Sequence, residues 1–148
     1  MWPAVMVVQL LACMFLAPAW AALGEGVASV KSDSQSFGAS PRVSARAAFT
    51  VHELQTSTGT VIREFVAPSG VVFAVSWHGP FKPNMTLLLG QYISEYARAP
   101  RSPGSTRSRL VIEQPTLVVH AGGHMRSFVG IAYVPQLLPA NVVEADLQ

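Results

Sequence analysis

One cysteine, Cys13, is present in 148 residues, and it lies within the N-terminal apolar stretch. If that stretch is removed, disulfide staples, thiolate nucleophiles and cysteine metal sites are excluded together. An apolar core alone must then hold the remaining chain, which its size allows. Charge is scarce as well: 12% of residues are Asp, Glu, Lys or Arg, and the formal net charge is +2. With half the chain hydrophobic, the composition is neither that of a disordered segment nor of a solvated tail. The pI near 9.0 reflects too small a cationic excess to make a nucleic-acid footprint. The one local excess, Arg98, Arg101, Arg107 and Arg109, sits in a Pro/Ser/Gly-rich stretch and reads as a solvated loop rather than an anion-binding patch.

Catalytic patterns are missing too. The four histidines are His52, His78, His120 and His124. His120 and His124 have the i, i+4 spacing that puts two imidazoles on one helix face for a metal. The intervening Ala121-Gly122-Gly123 makes a helix improbable, so the stretch reads as a β-turn with two polar flanks. His52-Glu53 begins like a zinc-protease motif, but the second histidine is absent. There is no G-x-S-x-G elbow, and Gly122-Gly123 precedes no helix that could cradle a phosphate. The acids Glu25, Glu53, Glu64, Glu95, Glu113, Glu144 and Asp146 show no spacing that pairs two of them for acid–base work.

What is present begins with an export pattern. Val5 to Leu16 is apolar apart from Gln9, Pro18 stops any helix, and Ala19-Trp20-Ala21 has the small residues that a signal peptidase reads. Cleavage after Ala21 and a periplasmic or secreted mature chain are expected. The competing readings are a lipoprotein anchored at Cys13, from Leu10-Leu11-Ala12-Cys13, and a retained anchor. The apolar residues after Cys13 argue against the first, Pro18 against the second.

Three parts follow: residues 1–21 as signal, 22–46 as a flexible arm with Phe37 as an anchor, and 47–148 as a single domain. Thr60 to Trp77 is the densest β signal, two strands joined by the turn Ala67-Pro68-Ser69-Gly70. With Ala47 to Gln55 before it, the pattern predicts an antiparallel meander. Arg63 and Glu64 alternate onto opposite faces, and a paired structural arginine is expected at Arg63. Val71, Phe73, Val75 and Trp77 are assigned to one bulky face. Asn84 then caps a helix over Met85 to Arg98, with Met85, Leu88, Leu89, Tyr92, Ile93 and Tyr96 forming one apolar stripe. Strands return at 110–113, 116–120 and 125–134, with Ala121 to His124 as a turn. The expected fold is α+β, an antiparallel sheet of about five or six strands packed on one main amphipathic helix.

Candidate binding residues are Trp77, His78 and Phe81, where a strand exits into a Gly/Pro loop, with His124 and Arg126 beside the last turn. For Trp77 and Phe81 the competing reading is packing, Trp77 on the helix and Phe81 plugging the sheet end. The function expected is that of an exported, non-enzymatic envelope protein with a structural or binding role. No cofactor or metal is expected. Another envelope protein is the expected partner, with no nucleic acid and no stable membrane insertion after signal cleavage. The alternative is a small periplasmic hydrolase using His78, His120 or His124 with Glu53 or Glu64.

The blocks TVHELQTSTGTVIREFVAPSGVVFAVSWHGP, LLLGQY and GGHMRSFVGIAYVPQLLPANV also support a comparison. The chain resembles a family of exported proteins of Gram-negative bacteria known only as a domain of unknown function. The resemblance covers nearly all of the chain beyond the signal and skips the spacer before Leu110. It implies export and one domain, and brings no catalytic residues.

Overall fold

The computed structural model describes residues 22–26 and 40–148. The expected export segment, with Cys13, and the expected anchor Phe37 lie outside the described residues. Seven strands form one sheet: β1 (Ser40–Ala45), β2 (Thr50–Gln55), β3 (Val61–Val66), β4 (Val72–Gly79), β5 (Arg109–Glu113), β6 (Val118–His124) and β7 (Ser127–Tyr133). Their spatial order is β1-β2-β3-β4-β7-β6-β5, with every neighbouring pair antiparallel. The α+β class stands, but the sheet has seven strands, more than the pattern predicts. The additional strand is β1, whose short polar run Ser40–Ala45 has no apolar alternation to mark it.

The meander through β4 follows the sequence pattern. At the β3–β4 turn, Gly70 N donates to Ala67 O at 2.8 Å and Ala67 N to Val71 O at 2.9 Å. The assignment of one bulky face to β4 is corrected by a bulge. Val66 pairs with Val72 while Phe65 pairs with Ala74, so Phe73 is an extra residue in the ladder. The bulge breaks strict alternation. Val75 and Trp77 join one core cluster, whereas Phe73 and Ala74 join the other.

These two clusters lie on opposite faces of the sheet. On one, Met85, Leu88 and Leu89 pack with Ile62, Val75 and Trp77. Asn84 caps this helical segment as predicted, its side-chain oxygen accepting from Thr86 N at 3.0 Å and Leu87 N at 3.3 Å. The helix expected over 85–98 is present as one continuous helical segment, in which a 3-10 break at Gly90–Tyr92 separates α1 (Met85–Leu89) from α2 (Ile93–Arg98). The break has a packing cause. A Cβ at Gly90, whose φ is 48°, would stand 2.1 Å from Cβ of Ala22.

Ala22 and Leu23 are buried against this helix, not part of a loose arm. Leu23 N donates to Leu88 O, and the Glu25 region hydrogen-bonds Val72 on β4. The flexible arm expected over 22–46 therefore does not describe Ala22–Gly26 or β1. Leu23 is anchored because an apolar side chain beside the α1–β4 seam gains more by burial than the ordering of a few residues costs.

The opposite face holds three rings in mutual contact. Phe49 lies 5.7 Å from Phe65 and 5.8 Å from Phe73, both edge-on. The C-terminal segment covers them: Val142 and Leu147 belong to the same cluster, and Leu147, in a 3-10 turn at Glu144–Leu147, is completely buried.

The expected turn at Ala121 to His124 is also corrected, because β6 runs straight through it to His124. The reversal falls at Met125-Arg126, where Arg126 adopts φ 63°. Glycine in a strand interior marks a close approach, and at Gly130 that approach is Trp77. A Cβ on Gly130 would lie 2.2 Å from the indole ring. Gly130→Ala is therefore expected to lower unfolding stability by about 1–3 kcal/mol through overpacking. Urea denaturation followed by tryptophan emission measures it; an unchanged midpoint would contradict the packing described.

Candidate functional site

Strand alternation places Glu53, Arg63, Ser76, His78, His120 and Val129 on the sheet face that carries the C-terminal segment. That segment divides the face into two grooves. One, of about 810 Å³, lies over β1–β3 and includes Arg42, Phe49 and Glu53. The other, of about 700 Å³, lies over β4, β7 and β6 and includes Ser76, His78, His120, Val129 and Glu144. Arg63 and Gln148 border both grooves.

The polar side chains here are committed to one another. Arg63 Nε donates to Glu53 Oε2 at 2.9 Å, the partner that cross-strand register supplies. His120 Nδ1 lies 2.7 Å from Glu144 Oε1, and its Nε2 lies 3.3 Å from Glu113 Oε1. Tyr133 donates its hydroxyl to Glu144 Oε2 at 3.2 Å. Glu144 thus anchors the C-terminal turn to β6 and β7 together. With carboxylates on both ring nitrogens, His120 is engaged as a clamp rather than aimed at a nucleophile. Burial and the Glu144 carboxylate together raise the Tyr133 phenol above its ordinary value of 10.0.

The predicted candidates separate. Trp77 and His78 both border the 700 Å³ groove, Trp77 from a buried position and His78 from an exposed one. The helix-packing reading of Trp77 agrees with its place in the core. Phe81 is 54% exposed and does not plug the sheet end; its carbonyl accepts from Thr60 Oγ1 at 2.9 Å. His124 and Arg126 are exposed at the β6–β7 hairpin tip and border neither groove.

His120 and His124 do share a face. Being on a strand, however, four residues separate them by roughly 13 Å, which no single ion can bridge. Among the described residues no group of three or more His, Cys, Asp or Glu is disposed to hold a metal ion. His52 lies across from Glu64 on the helix-side face, where burial lowers its pKa below the usual 6.5. Glu64 is completely buried there.

Sequence reasoning missed the Glu113–His120–Glu144 cluster. Two of its three residues were accessible, since alternation in two paired strands puts Glu113 and His120 on one face. Glu144 arrives from a segment with no strand or helix periodicity.

A family model described as a protein of unknown function, DUF2844, matches residues 19–147. The chain belongs to that family. No curated protein and no solved structure matches it. In this DUF2844 member, the matched region takes in every strand of the sheet and the whole C-terminal clamp.

Two outcomes are expected. Glu144→Gln weakens the hold on the C-terminal turn, costing about 1 kcal/mol given the partial exposure of the pair. Hydrogen exchange of the Val142 to Leu147 amides then accelerates, while core-strand amides stay protected. For Tyr133, a phenol raised in the folded state contributes stability that is complete below pH 10.0 and is lost as pH rises through the higher folded value. Burial and Glu95 raise the Tyr92 phenol too, so alkaline titration of phenolate absorbance should show two late-titrating tyrosines, of which Tyr133→Phe removes one.

Proposed function

We propose that the chain is an exported, non-enzymatic protein of the bacterial envelope whose role is binding. The observation that carries the binding reading is the grooved sheet face. Two concave surfaces flank a segment held in place by the contacts of Glu144 with His120 and Tyr133. A preformed concavity with a few polar groups at its rim is the usual form of a ligand or peptide site. Val129, 58% exposed, and His78 offer one apolar and one polar contact in the groove over β4, β7 and β6. The export reading is supported by the run Val5 to Leu16 and by Ala19-Trp20-Ala21. No described helix is long and apolar enough to cross a membrane.

The hydrolase alternative has less support. Glu53 is held by Arg63, and His120 lies between Glu113 and Glu144. Glu64 faces away from the histidines of the grooved face.

Two measurements test the proposal in the native envelope. Intact mass of the processed protein should correspond to a chain beginning at Ala22; a chain beginning at Cys13 with acyl groups rules out the soluble placement. A photoreactive residue replacing His78 should capture a defined ligand or protein, and the same residue at the exposed Ala97 should not. Equal labelling from both positions would count against the groove.

A further inference from the structure

The Arg-rich loop, solvated by composition, is docked in the fold. Ser102 N donates to Val111 O at 2.8 Å, and Val111 N to Ser105 Oγ at 3.0 Å. Glu113 N donates to Ser102 Oγ at 3.0 Å. The loop thereby caps the free edge of β5. Further along, Thr106 N donates to Arg109 O at 2.7 Å, and Ser108 O accepts from Gly123 N at 3.1 Å. The neighbouring Gly122 leaves room for this approach: a Cβ there would lie 3.4 Å from Ser108 O. The backbone on both sides of Arg107 is therefore held, at Thr106 by β5 and at Ser108 by β6.

This docking closes a cleft of about 260 Å³ on which Lys82, Arg101, Arg107 and Arg109 converge. Trp77, Tyr96 and Phe128 contribute its aromatic wall, and no Asp or Glu borders it. Lys82 Nζ lies 5.8 Å from the Tyr96 ring centroid and donates to the Tyr96 hydroxyl at 3.3 Å. Among the described residues, none of the four cations forms an ion pair. In a chain with net charge of only +2, bringing these cations together without a carboxylate costs repulsion that a bound anion would relieve.

We propose that this cleft binds a compact phosphate-bearing anion. Guanidinium groups engage phosphate oxygens in bidentate pairs, and several cations on one site match a ligand carrying more than one negative charge. The volume is at the lower limit for small-molecule pockets, roughly 300 Å³, which suits a diphosphate or a phosphorylated headgroup rather than a bulky organic ligand. The inference does not depend on the proposed export or on what the neighbouring 700 Å³ groove binds, although the two share Trp77, Arg109 and Val129.

The test titrates the purified protein with pyrophosphate at low ionic strength, read by calorimetry and by emission of Trp77 in the cleft wall. Vesicles of phosphatidylglycerol, against phosphatidylcholine, form the second arm. The Arg101→Gln/Arg107→Gln double variant changes only exposed side chains and should unfold at the parental urea midpoint. Saturable pyrophosphate binding, weakened roughly tenfold or more in the double variant and progressively by salt, assigns a soluble phosphate ligand. Arg98→Gln, removing a charge that does not border the cleft, should change affinity about twofold at most. Vesicle binding lost in the double variant, without a pyrophosphate response, assigns a lipid headgroup. Binding to neither probe, or binding that the double variant retains, overturns the proposal.

Discussion

A seven-stranded sheet has two apolar faces to remove from water, and the described residues offer one α-helical segment with which to do it. Everything else in the fold answers that constraint. The helical segment takes the face bearing Ile62, Val75 and Trp77. The opposite face, with its cluster of Phe49, Phe65 and Phe73, is closed by irregular chain. Such a cover has no internal ladder of hydrogen bonds, so it must be fastened by side chains. Leu147 supplies the apolar part and Glu144, through His120 and Tyr133, the polar part.

The same constraint explains the grooves. A narrow cover cannot span all seven strands, so the sheet is left concave on both sides of it. Fold and groove shape therefore meet on one face, where His120 and Glu144, which fasten the C-terminal turn, also line the groove over β4, β7 and β6. The opposite end of the molecule is organised differently. There the loop after α2 protects a strand edge, and its charges gather over β5, β6 and β7 as a consequence of that docking.

Much of the fold was legible in residue patterns because alternation is a local property of an extended chain. Arg63 and Glu64 fall on opposite faces as adjacent strand residues must, and Arg63 finds Glu53 through register alone. Asn84 announces a helix start because its short side chain caps free backbone N–H groups. The stretch Ala121 to His124 misled for an equally physical reason. Paired glycines signal turns when only local geometry is considered. Here one of them accommodates a neighbouring backbone, and the nearby Gly130 accommodates an indole ring.

Composition and spacing determined the class, the meander, the helix stripe and the absence of thiol chemistry beyond Cys13. Each depends on residues near one another along the chain. Tertiary structure decided what lay beyond that range. The bulge at Phe73, the helix break where Ala22 meets Gly90, and the meeting of Glu144 with His120 all arise between segments distant in sequence. So does the cleft. Read along the chain, Arg101, Arg107 and Arg109 were a solvated loop; hydrogen bonds from that loop to Val111 and Gly123 bring them to face Lys82 and Trp77. No periodicity records such contacts, because they depend on which surfaces the folded chain presses together.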